Sequence, residues 1–153
     1  MKRIAIYIVL IALTVVAPVN RVDVGHLQPV EVIAISQDGN KIILRTDTGD
    51  MGRGDNVEQA LTDMKETSAH IIYLDTAEYL LIEKTVKQKA EPIRKYLKGS
   101  VKVCLTENIT NYQGIGVYLE SHGNFPRLKR WSANQNTPIL KAEKISKKTE
   151  IWY

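Results

Sequence analysis

The stretch TDTGDMGRGDNVEQAL, residues 46–61, crowds Gly49, Gly52 and Gly54, the acids Asp47, Asp50 and Asp55, and an Arg-Gly-Asp triplet into one short span. A phosphate cradle of the Walker type needs G-x-x-x-x-G-K-[ST], with the lysine on the phosphates. Here the glycines run G-x-x-G-x-G, and Asp55 and Asn56 follow them, so a negative charge stands where phosphate would sit. Calcium suits the three aspartates as hard oxygen donors, but the ordered acids and terminal glutamate of an EF-hand loop are missing. The triplet Arg53-Gly54-Asp55 is too short to mark an adhesion site by itself. A structural reading remains. Val57, Ala60, Leu61 and Met64 recur at helical spacing. Asp55 can accept the first free backbone N–H groups, and Glu58 can reach back to complete a capping box. The spacing predicts a helix from about Asn56 to Ser68, entered by a glycine-bearing turn. Loops held on a rigid frame carry most binding residues, so Asp50, Met51 and Arg53 are the candidate contact loop.

Upstream, QPVEVIAISQDGNKIILRTDTG reads as two antiparallel strands joined through Asp-Gly-Asn, residues that tolerate tight hairpin turns. Downstream, Ile71–Leu74 is short, β-branched and apolar, suited to a central strand. Tyr79–Ile82 is a second apolar run, open to either a strand or the start of a helix. Thr85–Leu97 carries apolar residues at helical steps but contains Pro92, which places a break there or a helix start near Glu91. Val101, Val103 and Leu105 alternate as a strand. A helix is expected from about Thr110, with Ile115, Tyr118 and Leu119 inward and Gly123 as its stop. The last thirty residues read as a loop and one hairpin, with Trp131 and Trp152 as aromatic anchors against the core. The expected fold class is α+β: a small mixed or antiparallel sheet with helices packed on it, residues 22–153, preceded by an apolar segment at 1–21.

That apolar segment follows Met1-Lys2-Arg3. Ile4 to Val19 carries no charge, the pattern of an export signal. The run is slightly short for a spanning helix, which takes about 20 apolar residues, so cleaved signal and retained anchor both stay open. The basic pair ahead of it keeps the N-terminus inside and sends the body outside. Cys104 is the single cysteine, which excludes an intrachain disulfide, and its alternating strand-like surroundings mark it as a buried structural residue. His26, His70 and His122 are scattered, without zinc spacing, and no G-x-S-x-G elbow is present. No catalytic residue, metal ligand or cofactor site follows. Charge is uneven: residues 121–153 hold seven basic side chains against two acidic, while the rest of the chain is close to neutral. Lys141, Lys144, Lys147 and Lys148 form a candidate basic patch, better suited to anionic lipid or wall polymer than to nucleic acid on an exported body.

The run from Val22 to about Glu107, with VIAISQDG, then EQALTDMK, then HIIYL, resembles the N-terminal domain of Ger(x)C-type spore germination proteins and small exported proteins of spore-forming Firmicutes. The resemblance implies a domain outside the cytoplasmic membrane that acts by contact with membrane or other envelope proteins. Two departures stand against it. Those proteins are lipoproteins and longer, and here no cysteine follows the apolar run. The reading that results is an exported, membrane-associated, non-enzymatic envelope protein, in spore germination or sporulation. The alternatives are a small secreted enzyme or metal-dependent hydrolase around Asp47, Asp50, Asp55 and a histidine, and a binder of anionic polymer or lipid through the basic end.

Overall fold

A computed structural model describes residues 27–107 and 115–140. The elements run β1 (Leu27–Pro29), β2 (Val32–Asp38), β3 (Lys41–Thr46), β4 (Met51–Gly54), α1 (Val57–Thr67), β5 (Ile71–Tyr73), β6 (Tyr79–Glu83), β7 (Lys102–Thr106), α2 (Ile115–His122) and β8 (Ile139–Leu140). Short 3-10 turns at Leu74–Thr76, Lys84–Val86 and Glu91–Lys95 fill the connections. Six strands make one sheet in the order β4-β3-β2-β6-β7-β8. The β4-β3-β2 part is antiparallel, and β2, β6, β7 and β8 run parallel. Among the described residues the fold is a mixed-sheet α+β arrangement with two α-helices, as the pattern of elements predicts.

The middle of the sheet follows from runs that are apolar without alternation. In β2, Ile33 and Ile35 point to one face and Val32 and Ala34 to the other, and all four are buried. In β6, Tyr79, Leu80, Leu81 and Ile82 are each fully buried. A strand covered on both faces needs this composition, whereas a half-exposed strand alternates. That difference corrects the expectation for Ile71–Leu74. In β5 only Ile72 is buried while Ile71 and Tyr73 are exposed, and the strand pairs with β1 alone in a separate two-stranded parallel sheet. The central strand is β6.

One face of the sheet carries α1 beside the β6–β7 crossover. Val57, Ala60, Leu61 and Met64 from the helix join Val86, Ala90, Ile93 and Leu97 from the crossover over Ile33, Ile35, Leu80, Ile82 and Val103. Pro92 sits in the first turn of the 3-10 segment, where its missing N–H costs no hydrogen bond. The other face holds a smaller cluster, in which Ile115 and Leu119 of α2 cover Val32, Ala34, Tyr79, Leu81 and Cys104. Cys104 is buried, and burial pushes its thiol far up from its ordinary pKa, the state of an inert packing residue. The β2–β3 hairpin turns at Gly39, whose φ of +58° is the left-handed conformation glycine adopts most readily.

Of the loop and hairpin expected over the last thirty residues, only the part up to Leu140 falls within the described residues. Ile139–Leu140 adds to the sheet edge parallel to β7, without a hairpin partner among the described residues. Trp131 is an anchor as expected: it is 1% exposed within the larger core cluster, and its indole Nε1 donates to Thr137 Oγ1 at 3.0 Å. The apolar N-terminal run, the start of the helix expected at Thr110, Trp152 and the patch Lys141, Lys144, Lys147 and Lys148 lie outside the described residues. Among the described residues no helix is long and apolar enough to cross a membrane.

Candidate functional site

The opening stretch forms more structure than a turn. Residues 51–54 are the edge strand β4, so Met51 and Arg53 stand exposed on a strand rather than in a loop, pointing to the face away from α1. Its two glycines have a packing cause. A Cβ on Gly52 would overlap Ala60 O and come within 2.5 Å of Met64 Cβ, and one on Gly54 would lie 2.6 Å from Gln59 Cβ. Helix α1 therefore rests directly on the backbone of β4, and only Gly-x-Gly permits that approach. Arg53 N–H, on the open side of this edge, donates to Asp63 of α1 at 2.8 Å, which blunts the edge against further pairing.

The cap is displaced by one residue from its expected position. Asn56 is the N-cap, its Oδ1 accepting from Gln59 N–H at 2.9 Å, and Gln59 Oε1 accepts in return from Asp55 N–H at 3.0 Å. Asp55 is left to pair with Lys41 at 2.6 Å, and Arg53 pairs with Asp38 at 3.0 Å. Both are exposed surface pairs of small energetic consequence. Asp47 accepts from Glu31 N–H. The three aspartates thus serve three different local jobs, and among the described residues no group of His, Cys, Asp and Glu converges to hold a metal ion.

Asp50 is a structural tie. Its carboxylate accepts from Ser68 Oγ at 2.7 Å and from Thr48 Oγ1 at 2.8 Å, and its N–H donates to Thr46 Oγ1 at 3.1 Å. Ser68 is the C-cap of α1, so one side chain joins the β3–β4 turn to the far end of the helix. Burial works to raise its pKa, but the hydroxyls of Ser68, Thr48 and Thr46, with His70 nearby, outweigh it and hold the carboxyl below its ordinary value. A lowered folded-state pKa gives stability that is present above the ordinary aspartate pKa and is lost as pH falls through the folded value. Replacing Asp50 with alanine should therefore cost about 1–3 kcal/mol at pH 7, and the deficit should shrink toward pH 3 as the parent chain protonates. Urea denaturation at the two pH values reads both; equal stability at pH 7 would return Asp50 to the surface-contact role.

Glu31 has the opposite sign. Burial raises its pKa, as do Asp47, Glu78 and Glu120 around it. Its carboxylate lies against the first turn of α2, where a Cβ on Gly116 would overlap it.

The second concentration of charge joins three cations of the basic stretch 121–153 to others that the sequence pattern does not mark. The crossover between β6 and β7 exposes Lys84, Lys89, Arg94, Lys95 and Lys98, with Lys87 partly covered, and the segment before β8 exposes Arg127, Lys129 and Arg130. Against these nine cations stands one acid in the same segments, Glu91. At the other end of the sheet, α1 and its flank carry Asp55, Glu58, Asp63 and Glu66 against Lys65. The edge beside β7 and β8 is thus basic, while Lys89 of the crossover reaches Gln37 of β2 and the β4 side mixes the acids of α1 with Arg53 and Lys41.

On that basic edge, where the segment that follows α2 meets the residues that precede β7, lies a groove of about 1030 Å³, bordered by Gly99, Phe125, Arg127, Lys129, Arg130 and Asn136. No known protein family, curated protein or solved structure matches this chain at a significant level.

Proposed function

We propose that this chain is an exported, non-enzymatic protein of the cell envelope that acts by contact, with the basic β7–β8 edge as its contact surface and an anionic envelope component as its partner. The observation that carries the reading is the cluster of Arg127, Lys129 and Arg130 on the loop beside β7, onto which Lys87 and Arg94 of the crossover fold, with no acid in residues 123–138. A surface of one sign concentrates counter-charged partners and steers their approach. Export is supported by the basic pair and apolar run at residues 2–19. The narrower form, a part in spore germination or sporulation, rests on the sequence resemblance alone. The hydrolase reading loses its support, since Asp47, Asp50 and Asp55 are engaged separately.

Two measurements test the proposal. Fractionation of the native host should recover the chain with the membrane or exported fraction, and recovery from the soluble cytoplasm would refute it. Each lysine or arginine near an anionic surface contributes about 1 kcal/mol. Reversing Arg127, Lys129 and Arg130 to glutamate should therefore weaken binding to phosphatidylglycerol vesicles or acidic wall polymer by more than roughly a hundredfold at low salt. Binding that survives the triple reversal would remove this edge from the mechanism.

A further inference from the structure

Within the basic edge we infer a binding groove for a glycan that carries phosphate or carboxylate groups; this rests on the contact reading above and narrows its anionic partner to one ligand class.

The groove stands on fixed backbone. Residues 126–129 run beside the first half of β7, with Pro126 O accepting from Val103 N–H at 2.8 Å, Leu128 N–H donating to Val101 O at 2.6 Å and Lys129 N–H donating to Gly99 O at 3.0 Å. Pro138 O accepts from Leu105 N–H at 3.0 Å beside the second half. The loop between these anchors is held from below by Trp131 and its hydrogen bond to Thr137. From the crossover, Lys87 Nζ donates to Gln135 O and Arg94 donates to Lys129 O at 3.2 Å. Side chains on a pinned loop present a preformed surface, so binding loses less ordering entropy.

The lining selects the ligand. Arg127, Lys129 and Arg130 supply charge for phosphate or carboxylate oxygens. Gln135 and Asn136 each offer both donor and acceptor: their NH2 groups can donate to phosphate or sugar oxygens, but their carbonyls accept only from hydroxyls, which a sugar has and a bare ionised phosphate chain lacks. Phe125 and the prolines beside it add an apolar floor for the C–H face of a ring. The volume is at the upper end of small-molecule sites, which reach about 1,000 Å³. Because Arg127, Lys129, Arg130, Gln135 and Asn136 are all exposed, the groove is open to a segment of polymer. A flat bilayer fits a concave groove poorly, and of the groove's immediate neighbours only Ile139 is a large exposed hydrophobic among the described residues.

The test uses the full chain in detergent micelles and four probes: phosphomannan, unphosphorylated mannan, inorganic polyphosphate and phosphatidylglycerol vesicles. Phosphomannan should bind about tenfold more tightly than polyphosphate at equal phosphate concentration, and mannan should not bind. Gln135→Ala with Asn136→Ala should weaken phosphomannan by about tenfold, the scale of one or two lost hydrogen bonds, and weaken polyphosphate clearly less, since only the sugar hydroxyls use the amide carbonyls. Equal affinity for the two phosphate probes, with no effect of the amide variants, would overturn the glycan groove and leave the contact reading standing. Vesicle binding without phosphomannan binding would overturn it in favour of a lipid surface. Tight binding of neutral mannan would overturn the anionic ligand class. Failure of every anionic probe at low salt would overturn the contact reading as well.

Discussion

Gly52→Ala should destabilise the fold by about 3 kcal/mol, at the upper end of what one inserted methyl group costs in a packed interior. The new Cβ would overlap a backbone atom, Ala60 O, and press on Met64 Cβ, and both belong to the middle of α1. A flexible side chain could swing aside; a helix backbone can yield only by lifting the whole helix from β4. Lifting it would also pull Val57, Leu61 and Met64 out of the main core and stretch the bond from Arg53 to Asp63. Gly99→Ala is the control. Its Cβ would stand 3.1 Å from Lys129 Cβ, a contact that a surface loop relieves with a small shift. Urea or thermal unfolding should separate the two, with a fall in Tm of about 10 °C for Gly52→Ala and a small change for Gly99→Ala. Comparable small shifts for both would mean that α1 does not rest on the strand backbone.

Trp131→Ala carries the second large effect, about 3–5 kcal/mol for emptying a fully buried indole site. That is a large share of the 5–15 kcal/mol that holds a typical domain together. The indole is the floor on which the loop from Arg127 to Thr137 lies, and Trp131 N–H also closes the turn by donating to Arg127 O and Leu128 O. Thr137→Val separates packing from hydrogen bonding, since it removes the indole's acceptor while keeping its volume and should cost about 1 kcal/mol. Denaturant titration of both variants gives the comparison. A Trp131→Ala chain no less stable than Thr137→Val would show that the indole is not a core element. Because the same loop presents the cations of the groove, Trp131→Ala should also weaken anion binding without removing any charge.

The sequence was informative where one cause acts alone. The helix at Val57–Thr67 declares itself by apolar spacing, and the β2–β3 hairpin by Asp-Gly-Asn. Choosing between Ile71–Leu74 and Tyr79–Ile82 for the centre of the sheet required both faces to be considered together. Both runs are apolar, but only the second is buried at every consecutive position. Gly52 and Gly54 looked like loop residues because a requirement for close backbone approach and one for positive φ leave the same letter. Asp55 and Asn56 are both good caps, so their difference of one position is decided by the strand that precedes them and by Lys41 across from Asp55. The basic edge is dispersed in the sequence, part in the crossover and part some thirty residues later. Its cations become neighbours only because Arg94 and Lys87 fold onto the carbonyls of Lys129 and Gln135.

The order of strands in the sheet differs from their order in the chain, and this has a consequence for how the molecule is made. Strands β2, β3 and β4 with α1 are contiguous and can assemble as soon as they emerge. One flank of β2, however, waits for β6, which begins only at Tyr79. At about 5–20 residues per second, the nascent chain spends a few seconds with that flank of Val32–Ile35 unpaired and apolar on both faces. The guarded edge at β4 gives no protection there. The interval between Asp38 and Tyr79 is when this chain most needs a holding partner, and an export route that keeps it extended until β6 arrives would supply one.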